Sequence, residues 1–223
     1  VDGREQHLED LVAGLGALLE ALDALEAGAH VGTQLVDGVE LAGQLGEVVD
    51  LERLVARLED IVAVQVDWET DSVAITTHRS AEDLDARMEK RTVTTGCGQG
   101  TMFGDLMAEI DRVSLPAQAR FDEDTLYGLL DAVRHHESIY KQAGAVHGCA
   151  LAQGTEILMF VEDIGRHNAV DAIAGRMWLE GLEGGDKIFY TTGRLTSEMV
   201  IKTAQMGIPF LVSRSGLTQM GYD

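Results

Sequence analysis

The residue of this sequence best suited to chemistry is a cysteine flanked by glycines. Cys97 lies in the polar segment TTGCGQGT at positions 94–101. Because flanking glycines leave a sulfur exposed and let another molecule's backbone approach, this thiol suits nucleophilic chemistry or a persulfide. The alternative is a glycine-rich turn in which the thiol is incidental. No second Cys or His stands at zinc-ligand spacing, so we predict no metal site.

The second cysteine has different neighbours. Cys149 lies in the apolar segment AVHGCALA at positions 145–152, which is typical of a buried strand, so we predict a core residue. His147 precedes a glycine where that strand begins. It is either a contact to a ligand or a histidine whose partners lie in the core, and the sequence leaves both interpretations open.

A cluster of polar residues follows a predicted strand in the segment VEDIGRHNAVD at positions 161–171. Ligands of open α/β sheets bind at the carboxyl ends of strands, and a helix N-terminus offers free N–H groups to phosphate. The alternative is a capped helix with an internal Asp–Arg pair. The candidate ligand-binding residues here are Asp163, Gly165, Arg166 and His167.

Two later strand ends repeat this pattern, in YTTGRLTSEM at positions 190–199 and VSRSG at 212–216. Each combines a glycine, an arginine and hydroxyl groups. Three such turns in series predict a pocket for a phosphorylated or nucleotide-like ligand, in which Arg166, Arg194 and Arg214 converge. Ser197 and Lys202, on the helix after the second turn, complete the set of candidates.

The periodicity of apolar residues predicts the elements that position these side chains. We expect a hairpin at 61–68 and 72–78, a helix at 81–90, a long helix from the cap Asp122 to about 142 ended by Gly144, strands at 145–152 and 156–162, a helix at 168–181, a strand at 187–192, a helix at 197–206, a strand at 209–213 and a helix at 217–223. This order predicts an α/β layered sandwich.

The first 60 residues differ in composition from the rest. They contain no aromatic residue and no Lys, Ser, Pro, Ile, Met, Cys or Asn. A Leu/Ala stripe without aromatics specifies packing weakly, so we predict a poorly specified, partly helical region. The expected domains are therefore this atypical region at 1–60, a hairpin and cysteine-loop subdomain at 61–115, and an α/β core at 116–223 that is truncated at its C-terminus.

The charge and composition exclude several classes of function. The 223 residues hold 38 Asp and Glu against 17 Lys and Arg, a net charge of −21. Such a chain repels phosphate backbones and anionic lipid surfaces, so we expect neither nucleic-acid nor membrane binding. No apolar run is long enough for a transmembrane helix, no export signal is visible, and two cysteines cannot form a disulfide framework. We therefore expect a cytoplasmic protein.

Four segments give the chain a specific resemblance: TTGCGQGT at 94–101, GAVHGCAL at 144–151, EDIGRHNAVD at 162–171, and TTGRLTSEMVIKTAQMGIPFLVSRSGLTQ at 191–219. From about residue 61 onward the chain resembles the formate dehydrogenase accessory family, the sulfur carriers of the FdhD type. The resemblance implies a three-layer sandwich with a cytidine deaminase-like core, and often a homodimer. The zinc deaminase signature Pro-Cys-x-x-Cys is absent, so no zinc is expected.

The resemblance also implies an activity. Members of the family take sulfur from a cysteine desulfurase and pass it to the bis-molybdopterin guanine dinucleotide cofactor of formate dehydrogenase, which makes this chain a sulfurtransferase with a persulfide on Cys97. Many members carry Cys-Gly-x-Cys, whereas this chain has Gly100 at the second position, so Cys97 would act alone. In this interpretation Arg166, Arg194 and Lys202 hold the phosphates of the cofactor, and His147, Asp163, His167 and Ser197 line the pocket. The alternatives are a non-catalytic chaperone that binds the cofactor or the apo-enzyme, and an unrelated nucleotide-binding enzyme on the same scaffold.

Overall fold

The computed structural model describes residues 61–67, 72–77 and 113–223. The region 1–60, the predicted helix at 81–90 and the loop of Cys97 lie outside the described residues. Predictions that concern those segments therefore stay predictions.

The predicted hairpin is confirmed. β1 (Ile61–Asp67) pairs antiparallel with β2 (Ser72–Thr77), and the register is regular except for a shift between Ile61 and Ala63. Both strands are rich in the β-branched residues Val, Ile and Thr, which favour extended backbone.

Two helices replace the single long helix predicted after Asp122. The Asp122 side chain accepts the N–H of Thr125 at 2.8 Å and caps α1 (Glu123–His135), as predicted. The chain then turns into extended backbone at His136 and restarts as α2 (Ile139–Ala143), which ends at Gly144. The prediction of one continuous helix is wrong.

A tertiary contact explains the break between α1 and α2. The Glu162 carboxylate accepts the backbone N–H groups of Ile139 and Tyr140 at 2.6 and 2.7 Å. These donors at the start of α2 would otherwise be unsatisfied, so a carboxylate there stabilises the second helix start. Glu162 lies more than 20 residues further along the chain, where local periodicity carries no information about it.

The remaining elements form one mixed sheet with its helices. They are β3 (His147–Gln153), β4 (Glu156–Asp163), α3 (Arg166–Glu180), β5 (Ile188–Thr191), α4 (Ser197–Gln205), β6 (Phe210–Ser213) and α5 (Gln219–Tyr222). The strand order is β4-β3-β5-β6, with β3 antiparallel to both of its neighbours and β5 parallel to β6. None of the described helices is long and apolar enough to cross a membrane.

This topology brings four strand ends to one end of the sheet. β3 begins where its neighbours finish, with His147 opposite Asp163, and Thr191 of β5 lies opposite Ser213 of β6. We call this the polar end of the sheet, defined by His147, Asp163, Thr191 and Ser213. Every candidate ligand-binding turn of the sequence lies at it.

Helices pack against both faces of the sheet. Phe189 and Ile188 are consecutive in β5, so they point to opposite faces. Phe189 packs in a cluster with α3 and α4, while Ile188 packs in a second cluster with α1. The mixed α/β class is therefore confirmed, and the finer assignment to a cytidine deaminase-like three-layer sandwich stays a prediction. The larger cluster is made of Cys149, Leu151, Met159, Ala169, Val170, Ile173, Ala174, Met177, Phe189, Met199, Met206 and Ile208.

Candidate functional site

Hydrogen bonds join the turns that follow β5 and β6. The Ser213 hydroxyl donates to the carbonyl of Gly193 at 2.7 Å, and the Arg214 N–H donates to the carbonyl of Thr191 at 3.1 Å. One of these bonds comes from a side chain and the other from the backbone, and together they join the two turns into one surface at the polar end of the sheet.

The turn between β4 and α3 is shaped by a buried carboxylate. Asp163 is 5% exposed, and its Oδ1 accepts the N–H of Gly165 at 2.6 Å. A short acidic side chain that bonds the backbone two residues further on closes a tight turn. Gly165 is the N-cap of α3, so Arg166 and His167 occupy the first two helical positions. The helix therefore begins two residues earlier than the predicted 168.

The side chain of Arg166 crosses the turn after β5. A Cβ placed on Gly193 would lie 3.0 Å from Cδ of Arg166 and 3.2 Å from its Cβ, so the lack of a side chain at Gly193 gives the arginine its path. The Nε of Arg166 is buried, and it has no hydrogen-bond partner among the described residues. A buried donor without a partner costs about 1–3 kcal/mol, and an acceptor oxygen on a bound ligand would remove that cost.

Two histidines accompany Arg166. The Nδ1 of His167 lies 3.3 Å from Oε1 of Glu198 but outside hydrogen-bond geometry, and the His167 side chain is 16% exposed. Burial is the main cause that lowers the pKa of His167 to about 4; Glu198 opposes this, and the charges of Lys202 and Arg166 add to it. Burial and the charge of Arg166 also lower the pKa of His147. Both rings are therefore neutral near pH 7, and they offer hydrogen bonds rather than positive charge.

Lys202 lies inside the contact between α3 and α4. Its ammonium lies 2.7 and 2.8 Å from the two carboxylate oxygens of Asp171 and 3.4 Å from Oε1 of Glu198. At 2% exposure, this side chain is not on the surface of the polar end. Its charge is matched by carboxylates of the same chain, which corrects the expectation that Lys202 holds a phosphate.

The other predicted arginines and the serine take different places. The guanidinium of Arg214 lies 5.5 Å from the centre of the Tyr140 ring, within the range of a cation–π contact. Arg194 is exposed, and Ser197 is half-buried on the first turn of α4, next to the actual N-cap Thr196. Arg166 thus approaches the turn after β5 from α3, whereas Arg214 leans towards α2, so convergence of all three arginines on a single point stays a prediction.

Three residues of this arrangement were missed in the sequence. The available signal for the pair of Asp171 and Lys202 was one acid in the apolar run AVDAIA and one base in the run MVIKTA. Glu198 lay in a quoted motif without a role. Tyr140 gave no signal, because its partner comes from a strand end more than 70 residues away. Within the described part of the chain, no group of His, Cys, Asp and Glu is arranged to hold a metal ion.

Comparisons with known proteins agree on one family. The model of the FdhD/NarQ family matches residues 49–223. The sulfur carrier protein FdhD of Listeria innocua is 32% identical over 136 residues, which cover 60% of this chain and 52% of that protein. The protein of the same name from Wolinella succinogenes is 26% identical over 170 residues, 76% of this chain and 59% of that protein. The chain thus spans between half and three fifths of the length of these relatives.

A solved structure agrees with this family. A crystal structure from Desulfotalea psychrophila, described as that of a formate dehydrogenase accessory protein, has a TM-score of 0.56 and 26% identity to this chain. The match covers 83% of this chain and 67% of the other. It supports the mixed α/β fold found here.

Proposed function

Because the chain belongs to the FdhD/NarQ family, we propose that it is a sulfur carrier that serves formate dehydrogenase. In this proposal it takes sulfur from a cysteine desulfurase, holds it as a persulfide on Cys97, and delivers it to the bis-molybdopterin guanine dinucleotide cofactor. The names of the curated relatives support the sulfur-carrying part. A cytoplasmic location and a homodimer remain part of the same proposal.

The observation that carries the cofactor part is the buried Nε of Arg166 beside the turn at Gly193, for which residues 61–67, 72–77 and 113–223 provide no hydrogen-bond partner. In an acidic chain, a phosphate-bearing cargo must be held by a local group of donors. Arg166 supplies a positive charge and an N–H that has no acceptor in the described part of the chain, and Arg214 supplies a second charge across the joined turns. The neutral rings of His147 and His167 would add hydrogen bonds without repelling Arg166.

The first sulfur transfer follows from thiol chemistry. The Cys97 thiolate attacks the terminal sulfur of the desulfurase persulfide, the S–S bond of that persulfide breaks, and the desulfurase leaves as a thiolate. The proton of the Cys97 thiol passes to solvent, and no external oxidant is needed. Cys149 is unsuited to this step, since it is fully buried and burial raises its pKa to about 12.

Sulfur loading tests this proposal directly. The protein is incubated with a cysteine desulfurase and labelled cysteine, and its intact mass is measured before and after reduction. We expect one added sulfur that is released by reductant, retained in Cys149→Ala and lost in Cys97→Ala. Reducible label on Cys97→Ala protein would defeat the proposal.

The second candidate is a chaperone that binds the cofactor or the apo-enzyme without moving sulfur. Gly100, in place of a second loop cysteine, favours it, because a relay between two thiols is impossible. Activation of formate dehydrogenase by Cys97→Ser protein separates the two candidates. Full activation supports the chaperone, and loss of activation with cofactor binding intact supports the sulfur carrier.

A further inference from the structure

We propose that Tyr140 and Glu162 are positioning residues that fix the guanidinium of Arg214 at the polar end of the sheet. Tyr140 lies outside the three candidate turns, and Glu162, although it lies in the segment at 161–171, is not among the candidate ligand-binding residues. The Tyr140 ring lies next to the guanidinium of Arg214. The Glu162 carboxylate accepts N–H groups at the start of the helix that contains Tyr140. The consequence for cofactor binding rests on the proposed function, whereas the placement of Arg214 does not.

Hydrogen bonds fix the backbone at Arg214, but they do not restrict the rotamer of its side chain. Its N–H donates to Thr191, and the hydroxyl of Ser215 donates to the carbonyl of Thr192 at 2.6 Å. These bonds hold the turn, yet an exposed arginine side chain retains much rotamer freedom. The Tyr140 ring lies 5.5 Å from the guanidinium carbon, where its negative face attracts the charge. The ring therefore restricts where that charge lies.

The position of Tyr140 depends in turn on Glu162. α2 has five residues, too few to be stable on its own. The Glu162 carboxylate accepts the N–H groups of Ile139 and Tyr140, and such charge-assisted bonds are among the stronger ones in proteins. Loss of this carboxylate should therefore loosen α2 and move the ring.

Two residues at the end of β4 thus influence the positions of Arg166 and Arg214. Glu162 and Asp163 are consecutive in the strand, so their side chains point to opposite faces. Asp163 shapes the turn that starts α3 and places Arg166, while Glu162 anchors α2 and, through Tyr140, places Arg214. A ligand that bridges two positive charges would be recognised through the spacing that these two neighbours set.

Arginine NMR tests the placement itself. The Nε–Hε signal of Arg214, assigned by its loss in Arg214→Lys, should carry an upfield ring-current shift. We expect that shift to persist in Tyr140→Phe, which keeps the ring, and to disappear in Tyr140→Leu, which keeps an apolar side chain without a ring. It should decrease in Glu162→Ala. An Arg214 signal that is the same in Tyr140→Leu and in the parent protein would overturn the proposal.

A double-mutant cycle tests the consequence for binding, with guanosine diphosphate as the probe. Tyr140→Leu should weaken binding about fivefold when Arg214 is present and leave it unchanged in an Arg214→Gln background. Equal weakening in both backgrounds would show that the ring acts on the ligand or the fold directly, which contradicts positioning. If the parent protein binds no guanosine diphosphate while the ring-current shift is present, the cofactor part of the proposed function fails and the placement of Arg214 by Tyr140 stands.

Discussion

The ammonium of Lys202 is held between both carboxylate oxygens of Asp171, at 2.7 and 2.8 Å, inside the contact between α3 and α4. Each partner lies about one turn beyond the start of its helix. Arg166 and His167 open α3, and Ser197 and Glu198 open α4. The buried pair therefore sets the relative position of the two helix starts at the polar end of the sheet.

Loss of Lys202 should destabilise the protein strongly. Lys202→Met removes the ammonium that pairs with the buried carboxylate of Asp171, which costs about 3–5 kcal/mol of the free energy of unfolding. Urea unfolding followed by circular dichroism measures this loss. The double variant Lys202→Met with Asp171→Leu removes both charges and should recover most of it. A single variant within about 1 kcal/mol of the parent protein would contradict the pairing.

Much of the fold could be predicted from the sequence, because local signals determine it. Short apolar runs bounded by turn residues predicted the two hairpins, and Asp122 began a helix and Gly144 ended one as predicted. The three glycine–arginine turns follow strands that end at the polar end of the sheet, and the pocket predicted from them stays a prediction. Cys149, with apolar neighbours, was correctly predicted to be buried.

Two of the errors come from contacts between distant segments. The break before α2 depends on Glu162, and the orientation of Lys202 depends on Asp171 of another helix. A lysine that follows an arginine turn by a few residues looks like a phosphate ligand until the packing of the two helices is known. The residues near Arg214 in the sequence do not indicate the direction in which its side chain points. They also do not indicate its contact with the Tyr140 ring.

The two cysteines should differ in reactivity. Burial raises the pKa of Cys149 to about 12, and its S–H donates to the hydroxyl of Thr191 at 3.3 Å. Iodoacetamide near pH 8 should therefore leave Cys149 unmodified in the folded protein and modify it after unfolding, because the thiolate is the reactive form. Peptide mass spectrometry of folded and unfolded samples measures this. Rapid modification of Cys149 in the folded Cys97→Ala protein would show that this thiol is accessible.

His167 should make stability depend on pH in mildly acidic solution. Its pKa is about 4 in the folded protein, below the ordinary value of 6.5, so the unfolded chain binds more protons between these two pH values. The free energy of unfolding contributed by His167 is therefore complete above about pH 6.5 and is lost as the pH falls towards 4. Urea unfolding of the parent and of His167→Gln should show a difference that shrinks across this window. A constant difference would refute the assignment.

Glu198 provides an independent check on His167. Because the Glu198 carboxylate favours the protonated ring, Glu198→Gln should lower the pKa of His167 further, as NMR titration of the ring signals can measure. Lys202 has the opposite influence on the ring. A rise in the His167 pKa in Glu198→Gln would mean that the carboxylate does not face the imidazole.

A methyl group at Gly193 should weaken ligand binding through Arg166. The added Cβ would lie 3.0 Å from Cδ and 3.2 Å from Cβ of Arg166, so the arginine must move from its path across the turn. We expect Gly193→Ala to bind guanosine diphosphate several-fold more weakly, with a loss of about 1–3 kcal/mol in the free energy of unfolding from overpacking. Gly185→Ala is the matched control, since its Cβ would meet Cγ of Pro116 at 3.3 Å near the opposite end of β5. Affinity in Gly193→Ala equal to that of the control would show that the position of Arg166 does not determine binding.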